Sequence, residues 1–281
     1  MKIRVYSSGS KGNCTLISIN GTNLLVDAGI CKKSIVENLA KDNLSLSDVS
    51  AIFLTHEHVD HTCAIPQLLK EDGIVIFTTF GTMSALREYY VIKGKEKIVN
   101  LIDLRVANGT IVYINRIENS YLYQSVYING LNVDVLPTFH DAKEPIGFVF
   151  YEENKKLVYI TDTGYVHKDL YPIISNADCY ILESNHDPEI LMHSDRPYHL
   201  KIRIISDHGH MSNIDSMITL ANVIGVNTKL IMHAHISEEC NLSQIVELTR
   251  KKVFDEYGLY YDNIEFVILE PRCTKEYLVW K

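Results

Sequence analysis

The feature that most constrains this chain is a run of six residues, His56-Glu57-His58-Val59-Asp60-His61, which directly follows the apolar run Ala51 to Leu54. A short apolar run that ends in polar residues is typical of a buried strand. Imidazoles and carboxylates at this density are the ligands that borderline divalent metals take. We therefore predict a metal site at the mouth of a strand, in preference to a polar surface loop that happens to contain histidines.

The spacing within this run favours two metals. Residues at i and i+2 do not share a face of a helix, so His56 and His58 can converge only if the segment is a turn that leaves the strand. Asp60 and His61 would then project from the start of the following helix toward a second position. One short loop could thus supply ligands to two adjacent ions.

Four further apolar runs each end in a histidine or an aspartate, in NLLVDAG, VDVLPTFHDA, LVYITDTG and KLIMHAH, which gives Asp27, His140, Asp162 and His235. Each signal alone is weak, because a lone residue of this kind after a strand is often a turn residue. Their repetition predicts one shared site. His233 is an alternative to His235, and we prefer His235 because the turn follows it.

The remaining pattern predicts an α/β or α+β layered fold. Short apolar runs before Asp27, Thr55 and Thr161, and at 74–77, predict strands. Apolar periodicity predicts helices over 31–40, roughly 62–70, 81–90, 213–224 and 241–257. Alternating β-formers with two Asn-Gly pairs predict hairpins within 105–135. Because no repeat, Pro-rich linker or low-complexity tract interrupts residues 1–281, we predict a single domain.

Composition limits the partners of the chain. Its formal net charge of −8 argues against binding of polyanions through bulk charge, although a local basic path remains compatible with it. The N-terminus has no signal-peptide pattern and no stretch is apolar enough to span a membrane, so we expect a cytoplasmic protein without a membrane partner. Six cysteines without a C-x-x-C pair predict reduced thiols.

The order His-x-His-x-Asp-His, then a histidine, an aspartate and a final histidine, each after a strand, resembles the metallo-β-lactamase superfamily. The segments SSGSKGNCTLI at 7–17, ESNHDPEIL at 183–191, YHLKIRIISDHGHMSN at 198–213 and HISEECN at 235–241 are similar to YycJ/WalJ-type exonucleases. The resemblance covers nearly the whole chain. It implies a four-layer αββα sandwich and a metal-dependent hydrolase.

The resemblance also implies a ligand set for two divalent metal ions, with zinc, manganese and iron all compatible. One ion would be held by His56, His58 and His140, and the other by Asp60, His61 and His235. Asp162 would bridge them together with a hydroxide, and Asp27 would orient the ligands by hydrogen bonding to them.

The same resemblance pairs His210, as proton donor to the leaving oxygen, with Glu183 at the end of CYILES; the alternative is that both residues cap turns. Five residues are candidates for substrate contact, each with a structural alternative. Ser10 and Asn13 lie in a Gly-rich turn, and His186 lies in a polar loop. Lys201 and Arg203 could line a DNA strand or a solvated face.

The leading prediction for function is a phosphodiesterase that acts on nucleic acid, specifically a DNA exonuclease. The alternative is a small-molecule phosphodiesterase, for example for cyclic nucleotides, which the acidic charge would suit. β-Lactam or thioester hydrolysis also occurs on this fold but has no need of the Glu183 and His210 pair. A non-catalytic binding protein is disfavoured because every expected ligand position is filled. The sequence does not predict the oligomeric state.

Overall fold

The computed structural model of the protein describes residues 1–269 and the strand at 275–278. The chain divides into two compact units. The first contains residues 1–130 and 142–146 together with the strand at 275–278, and the second contains residues 131–141 and 147–269.

The first unit is built on a sheet in which buried apolar strands run side by side. The strands of this sheet in chain order are β1 (Lys2–Ser7), β2 (Cys14–Ile19), β3 (Thr22–Val26), β4 (Val49–Phe53), β5 (Val75–Thr78), β6 (Ile111–Tyr113) and β14 (Lys275–Leu278). The short strand β7 (Val126–Ile128) is also within the residues of this unit but is not part of this sheet. The sheet has the order β14-β1-β2-β3-β4-β5-β6, and β3 to β6 are parallel. Parallel strands need crossover connections, and helices supply them: α1 (Lys32–Lys41), α2 (Val59–Thr62), α3 (Ile65–Leu68), α4 (Phe80–Ile92) and α5 (Glu96–Ala107).

The second unit repeats this plan. Its strands lie in the order β13-β12-β11-β10-β9-β8, and the four strands β10 to β13 are parallel. In chain order they are β8 (Leu131–Pro137), β9 (Ile146–Glu152), β10 (Lys155–Ile160), β11 (Cys179–Glu183), β12 (Leu230–Ala234) and β13 (Glu265–Ile268). The helices are α6 (Tyr171–Ile174), α7 (Pro188–His193), α8 (Tyr198–Ile204), α9 (Asn213–Val223) and α10 (Ser243–Glu256).

Most predicted helices are present, and two predictions need correction. The stretch 62–70 is not one helix but the end of α2 and the separate α3, because Pro66 lacks an amide hydrogen and is accommodated in the first turn of a new helix. The hairpin prediction over 105–135 is wrong at its start, where residues 105–107 finish α5 and Asn108-Gly109 ends that helix. At the second Asn-Gly pair, Asn129 and Gly130 have φ of 48° and 79°, as a two-residue hairpin turn requires.

The parallel strands explain where the polar residues meet. Side chains that follow the carboxyl ends of neighbouring parallel strands lie at the same edge of a sheet. In the first unit Asp27 follows β3 and Thr55 and His56 follow β4. In the second unit Asp162 follows β10 and Glu183 ends β11, while His235 follows β12.

Candidate metal centre

In the first unit, Asp27 is a buried carboxylate that organises the histidine loop. Its Oδ1 accepts hydrogen bonds from the Thr55 amide at 2.9 Å and the Thr55 hydroxyl at 3.0 Å. Its Oδ2 lies 2.7 Å from Nδ1 of His61. Burial raises the pKa of Asp27, and the charge of His61 partly opposes this rise. The carboxylate thereby fixes the orientation of the His61 ring, with Nδ1 toward Asp27 and Nε2 away from it.

The histidines of the loop converge as predicted for a turn. The ring centroids of His56 and His58 are 4.6 Å apart, and those of His56 and His61 are 4.1 Å apart. Oδ2 of Asp60 lies 3.6 Å from Nε2 of His61. The first unit therefore gathers the four predicted ligands of the motif at one place.

Backbone hydrogen bonds hold this loop against the Gly-rich turn that follows β1. The Asn13 amide donates to the Asp60 carbonyl at 2.7 Å, and the Gly29 amide donates to the Asn13 carbonyl at 2.7 Å. The Ala28 amide donates to the His61 carbonyl at 2.9 Å. A Cβ atom at Gly29 would lie only 1.5 Å from the Asp60 carbonyl oxygen, so this close approach requires glycine.

The second unit collects the other predicted ligands. Oδ1 of Asp162 lies 3.4 Å from Nε2 of His235 and 4.0 Å from Nε2 of His140. Nδ1 of His140 is 2.8 Å from the Gly209 carbonyl oxygen. Burial lowers the pKa of His140, which favours the neutral ring that a metal ligand requires.

Glu183 is fully buried and joins two of the imidazoles of this unit. Its Oε1 lies 2.7 Å from Nδ1 of His210 and 3.1 Å from Nδ1 of His235, and its Oε2 accepts from the Thr163 amide at 2.8 Å. Burial alone would raise the pKa of Glu183, but the charge and hydrogen bond of His210 and the hydrogen bond of His235 lower it to about 2. Glu183 is thus a carboxylate throughout the neutral range.

His210 stands beside the predicted ligands of its unit. Its ring centroid is 4.8 Å from that of His140 and 5.2 Å from that of His235. The side chain of His210 keeps 16% of its surface exposed, whereas that of Glu183 keeps none. His210 is therefore the member of the pair that a bound molecule can touch.

Three strand-end residues share a backbone conformation that the sequence did not reveal. Asp27, Asp162 and His235 have φ of 60°, 54° and 55°, the left-handed region that costs energy for residues other than glycine. Such strain persists where the surrounding structure enforces it, and it clusters at functional sites. All three belong to the predicted site.

Other residues of the family-like segments form a buried amide network that has no signature in the sequence. Nδ2 of Asn241 donates to the carbonyls of Ser184 and Asn185 at 2.9 and 3.0 Å, and Asn213 pairs with both Ser184 and Asn241. Nδ2 of Asn185 donates to the His235 carbonyl at 2.8 Å. This network fixes the loops after β11 and β12, on which Glu183 and His235 depend.

The candidate substrate residues differ in setting. Ser10 is exposed, and Asn13 is buried with Nδ2 2.9 Å from Nε2 of His61. Nζ of Lys201 donates to the carbonyls of Met192 and Ser194, and Nε of Arg203 pairs with Asp141 at 2.7 Å. His186 is buried, and burial lowers its pKa to about 4.

His233 occupies a different environment from His235. Its ring stacks on Phe266 with 7° between the planes, and burial together with the charge of Arg250 lowers its pKa to about 3. Neither ring nitrogen has a hydrogen-bond partner among the residues described. These contacts are those of a neutral core histidine.

The donor set fits a metal site. Ligating histidines almost always engage their second ring nitrogen with a carboxylate, a carbonyl or another polar group. Four buried histidines do this through Nδ1. In the first unit, His56 contacts Thr55 and His61 contacts Asp27. In the second unit, His140 contacts the Gly209 carbonyl and His235 contacts Glu183. Nε2 is then the nitrogen that would coordinate an ion.

Asp27→Asn is expected to weaken metal binding about 10- to 100-fold, because an amide cannot hold the His61 ring as a carboxylate does. Metal affinity is measured by competition with a chelator. Asp42→Asn is the matched control, since Asp42 is also a buried carboxylate of the first unit, paired with Arg4 and Lys2. Equal metal affinity for Asp27→Asn and the wild type would contradict the role of Asp27.

Among the residues that the structure describes, no helix is long and apolar enough to cross a membrane.

A solved structure, the metallo-β-lactamase fold protein YhfI from Bacillus subtilis, is similar to this chain with a TM-score of 0.63 and 16% identity, over 98% of this chain and 100% of that one. This similarity confirms the predicted metallo-β-lactamase fold.

Sequence comparison narrows the class. A model of the β-lactamase superfamily domain matches residues 22–234. The chain is 32% identical to exodeoxyribonuclease YycJ of Bacillus anthracis over 90% of its length and 89% of the relative's. It is also 32% identical to exodeoxyribonuclease WalJ of Streptococcus pneumoniae, over 88% of its length and 86% of the relative's. The chain belongs to the β-lactamase superfamily, in the YycJ/WalJ family of metal-dependent hydrolases.

Proposed function

We propose that this protein is a metal-dependent phosphodiesterase that shortens DNA from an end, and that residues 1–281 act as one catalytic domain. The names of its relatives support this substrate. The observation that carries the proposal is the pair formed by Glu183 and His210, whose Oε1 and Nδ1 atoms lie 2.7 Å apart beside the ligand candidates of the second unit. Hydrolysis of a phosphodiester benefits from such a proton donor.

For the metals, we propose the assignment that the family resemblance implies. His56, His58 and His140 would hold one ion, while Asp60, His61 and His235 would hold the other, with Asp162 shared. Two divalent cations bound there would lower the pKa of a water molecule and offset the charge that develops on the phosphoryl oxygens. Zinc and manganese both accept this mixture of imidazoles and carboxylates.

The chain's own residues then manage the leaving group. The 2.7 Å contact with Glu183 assigns the Nδ1 proton of His210 to that hydrogen bond. Nε2 of the same ring would carry the proton that passes to the departing oxygen. Glu183 stabilises the protonated ring by its negative charge, and Thr163 holds the carboxylate through its amide at 2.8 Å.

We propose the cytoplasm as the compartment in which the protein acts on this DNA substrate.

Matched linear and circular single-stranded DNA of the same sequence tests the exonuclease proposal. With Mn²⁺ or Zn²⁺ present, the linear strand is expected to shorten stepwise from an end, whereas the circle has no end and should persist. A chelator should stop the reaction. Cleavage of the circle at a rate similar to that of the linear strand would contradict an exonuclease and indicate an endonuclease.

A further inference from the structure

A pocket in the first unit shares His58 with the predicted metal ligands. It lies between the histidine loop with α2 on one side and the middle of α4 on the other, and its volume is about 340 Å³. Pockets for small molecules span roughly 300–1,000 Å³, so this one has room for a single compact ring system. The proposed chemical step of phosphodiester hydrolysis does not use this pocket.

The lining of this pocket is mainly apolar and aromatic. Tyr89 and Tyr90 of α4 lie at one side, and Val59, which follows His58 directly, lies at the other. Val59 is 61% exposed and Tyr89 is 42% exposed. The rings of Tyr89 and Tyr90 are 5.3 Å apart at 74°, so they present two differently oriented faces. Tyr90 packs against the hydrophobic core of the unit, but core packing does not account for Val59 and Tyr89, which are left open beside a polar loop.

A local cluster of basic residues follows α4, the helix that carries the two tyrosines. Lys93, Lys95 and Lys97 are all exposed and follow Tyr89 within eight residues, with Glu96 as the one acidic residue among them. Nζ of Lys93 lies 5.6 Å from the centroid of the Tyr89 ring. In a chain with a net charge of −8, this is a concentration of positive charge next to aromatic rings.

Aromatic rings followed closely by lysines match the chemistry of a single nucleic-acid strand. Bases stack on aromatic side chains, and the backbone phosphates follow a basic track. A purely apolar occupant would gain nothing from the three lysines. An isolated anion would gain nothing from the tyrosine rings.

We propose that this pocket receives a nucleobase of the DNA strand next to the phosphodiester that is to be cleaved at the metal site to which His58 would contribute, and that Lys93, Lys95 and Lys97 bind phosphates further along that strand. The inference deepens the proposed function and rests on it for the identity of the substrate. Tyr89 supplies the stacking face and acts in binding, with no part in the chemical step.

The test measures binding separately from hydrolysis. The probe is a short phosphorothioate single strand, which suppresses cleavage, with the fluorescent base 2-aminopurine placed at each position in turn and Mn²⁺ present. For the wild type we expect quenching that is confined to one position. Tyr89→Ala should remove this quenching and weaken binding about tenfold. Tyr89→Phe keeps the ring and should restore both.

Two controls match these variants. Tyr260→Ala removes a 75% exposed tyrosine of the second unit and should leave binding and quenching unchanged. Replacing Lys93, Lys95 and Lys97 together by alanine should reduce the slope of log affinity against log salt by about 2. Replacing the exposed Lys251 and Lys252 of α10 should leave that slope unchanged. Thermal unfolding checks that each variant is folded.

The outcomes separate this inference from the proposed function. Wild-type affinity and quenching in Tyr89→Ala would overturn the base pocket, even if the protein hydrolyses DNA. If the wild type hydrolyses no DNA but Tyr89→Ala still loses the quenching, the pocket stands and the proposed reaction fails. An unchanged salt slope after loss of the three lysines would overturn the phosphate track.

Discussion

Replacing Asp60 by alanine is expected to lower the rate of DNA hydrolysis by about three orders of magnitude or more, because the loss of a carboxylate ligand removes several kcal/mol of electrostatic stabilisation. The loop should keep its place, since the Asp60 carbonyl, which the substitution retains, accepts the Asn13 amide at 2.7 Å. The measurement is the rate of shortening of a labelled strand, together with the metal content of each protein.

The control for Asp60→Ala is Asp72→Ala, which removes an exposed carboxylate of the same unit. This control should keep wild-type activity and metal content. If Asp60→Ala retains full activity and binds the same amount of metal, Asp60 is not a ligand and the assignment of the second metal is wrong.

Replacing His210 by alanine is expected to lower DNA hydrolysis about 10²- to 10⁴-fold, the usual contribution of a general acid. The loss should depend on the leaving group. A p-nitrophenyl phosphodiester releases a stable phenolate that needs no proton, so His210→Ala should cleave it at nearly the wild-type rate. Metal content should not change, because the proposal gives His210 no role as a ligand.

The matched control for His210→Ala is His208→Ala, which removes an exposed histidine two residues earlier in the same loop. It should leave both substrates unaffected. An equal loss on DNA and on the p-nitrophenyl substrate in His210→Ala would show that the residue acts on structure or metal binding, and it would contradict the role of proton donor.

The histidine loop and the strand ends could be predicted from the sequence because their signals are local. An apolar run followed by a polar residue marks the carboxyl end of a strand, and parallel pairing then brings Asp162, Glu183 and His235 to one edge. The family resemblance added the proposed roles of Glu183 and His210. The roles of individual residues in catalysis stay predictions.

The partners of the ligands could not be predicted, because they are distant in sequence. Nδ1 of His140 meets the carbonyl of Gly209, 69 residues away, and a carbonyl has no sequence signature. Asn241 lies in a family-like segment, but nothing in the sequence signals that its side chain bonds the carbonyl of Ser184, 57 residues earlier. The positive φ of Asp27 was hidden for the same reason, since tertiary contacts impose it.

The basic residues show another limit of sequence position, and their contact with DNA stays a prediction. Lys201 and Arg203 were candidates for DNA contact because they lie between two family-like segments. In the structure Nζ of Lys201 donates to the Ser194 carbonyl at 2.6 Å, and Arg203 is paired with Asp141. Sequence position could not distinguish these two hydrogen-bonded or paired side chains from Lys93, Lys95 and Lys97. Those three lysines follow Tyr89 closely, just after α4 ends at Ile92.

Exonuclease activity is tested most directly by offering the wild type single-stranded DNA, double-stranded DNA and cyclic nucleotides side by side, with Mn²⁺ or Zn²⁺ added. We predict metal-dependent, stepwise shortening of DNA that is absent in Asp60→Ala. Turnover of cyclic nucleotides with the DNA left intact would contradict a DNA exonuclease, and it would assign the same residues to a small phosphodiester.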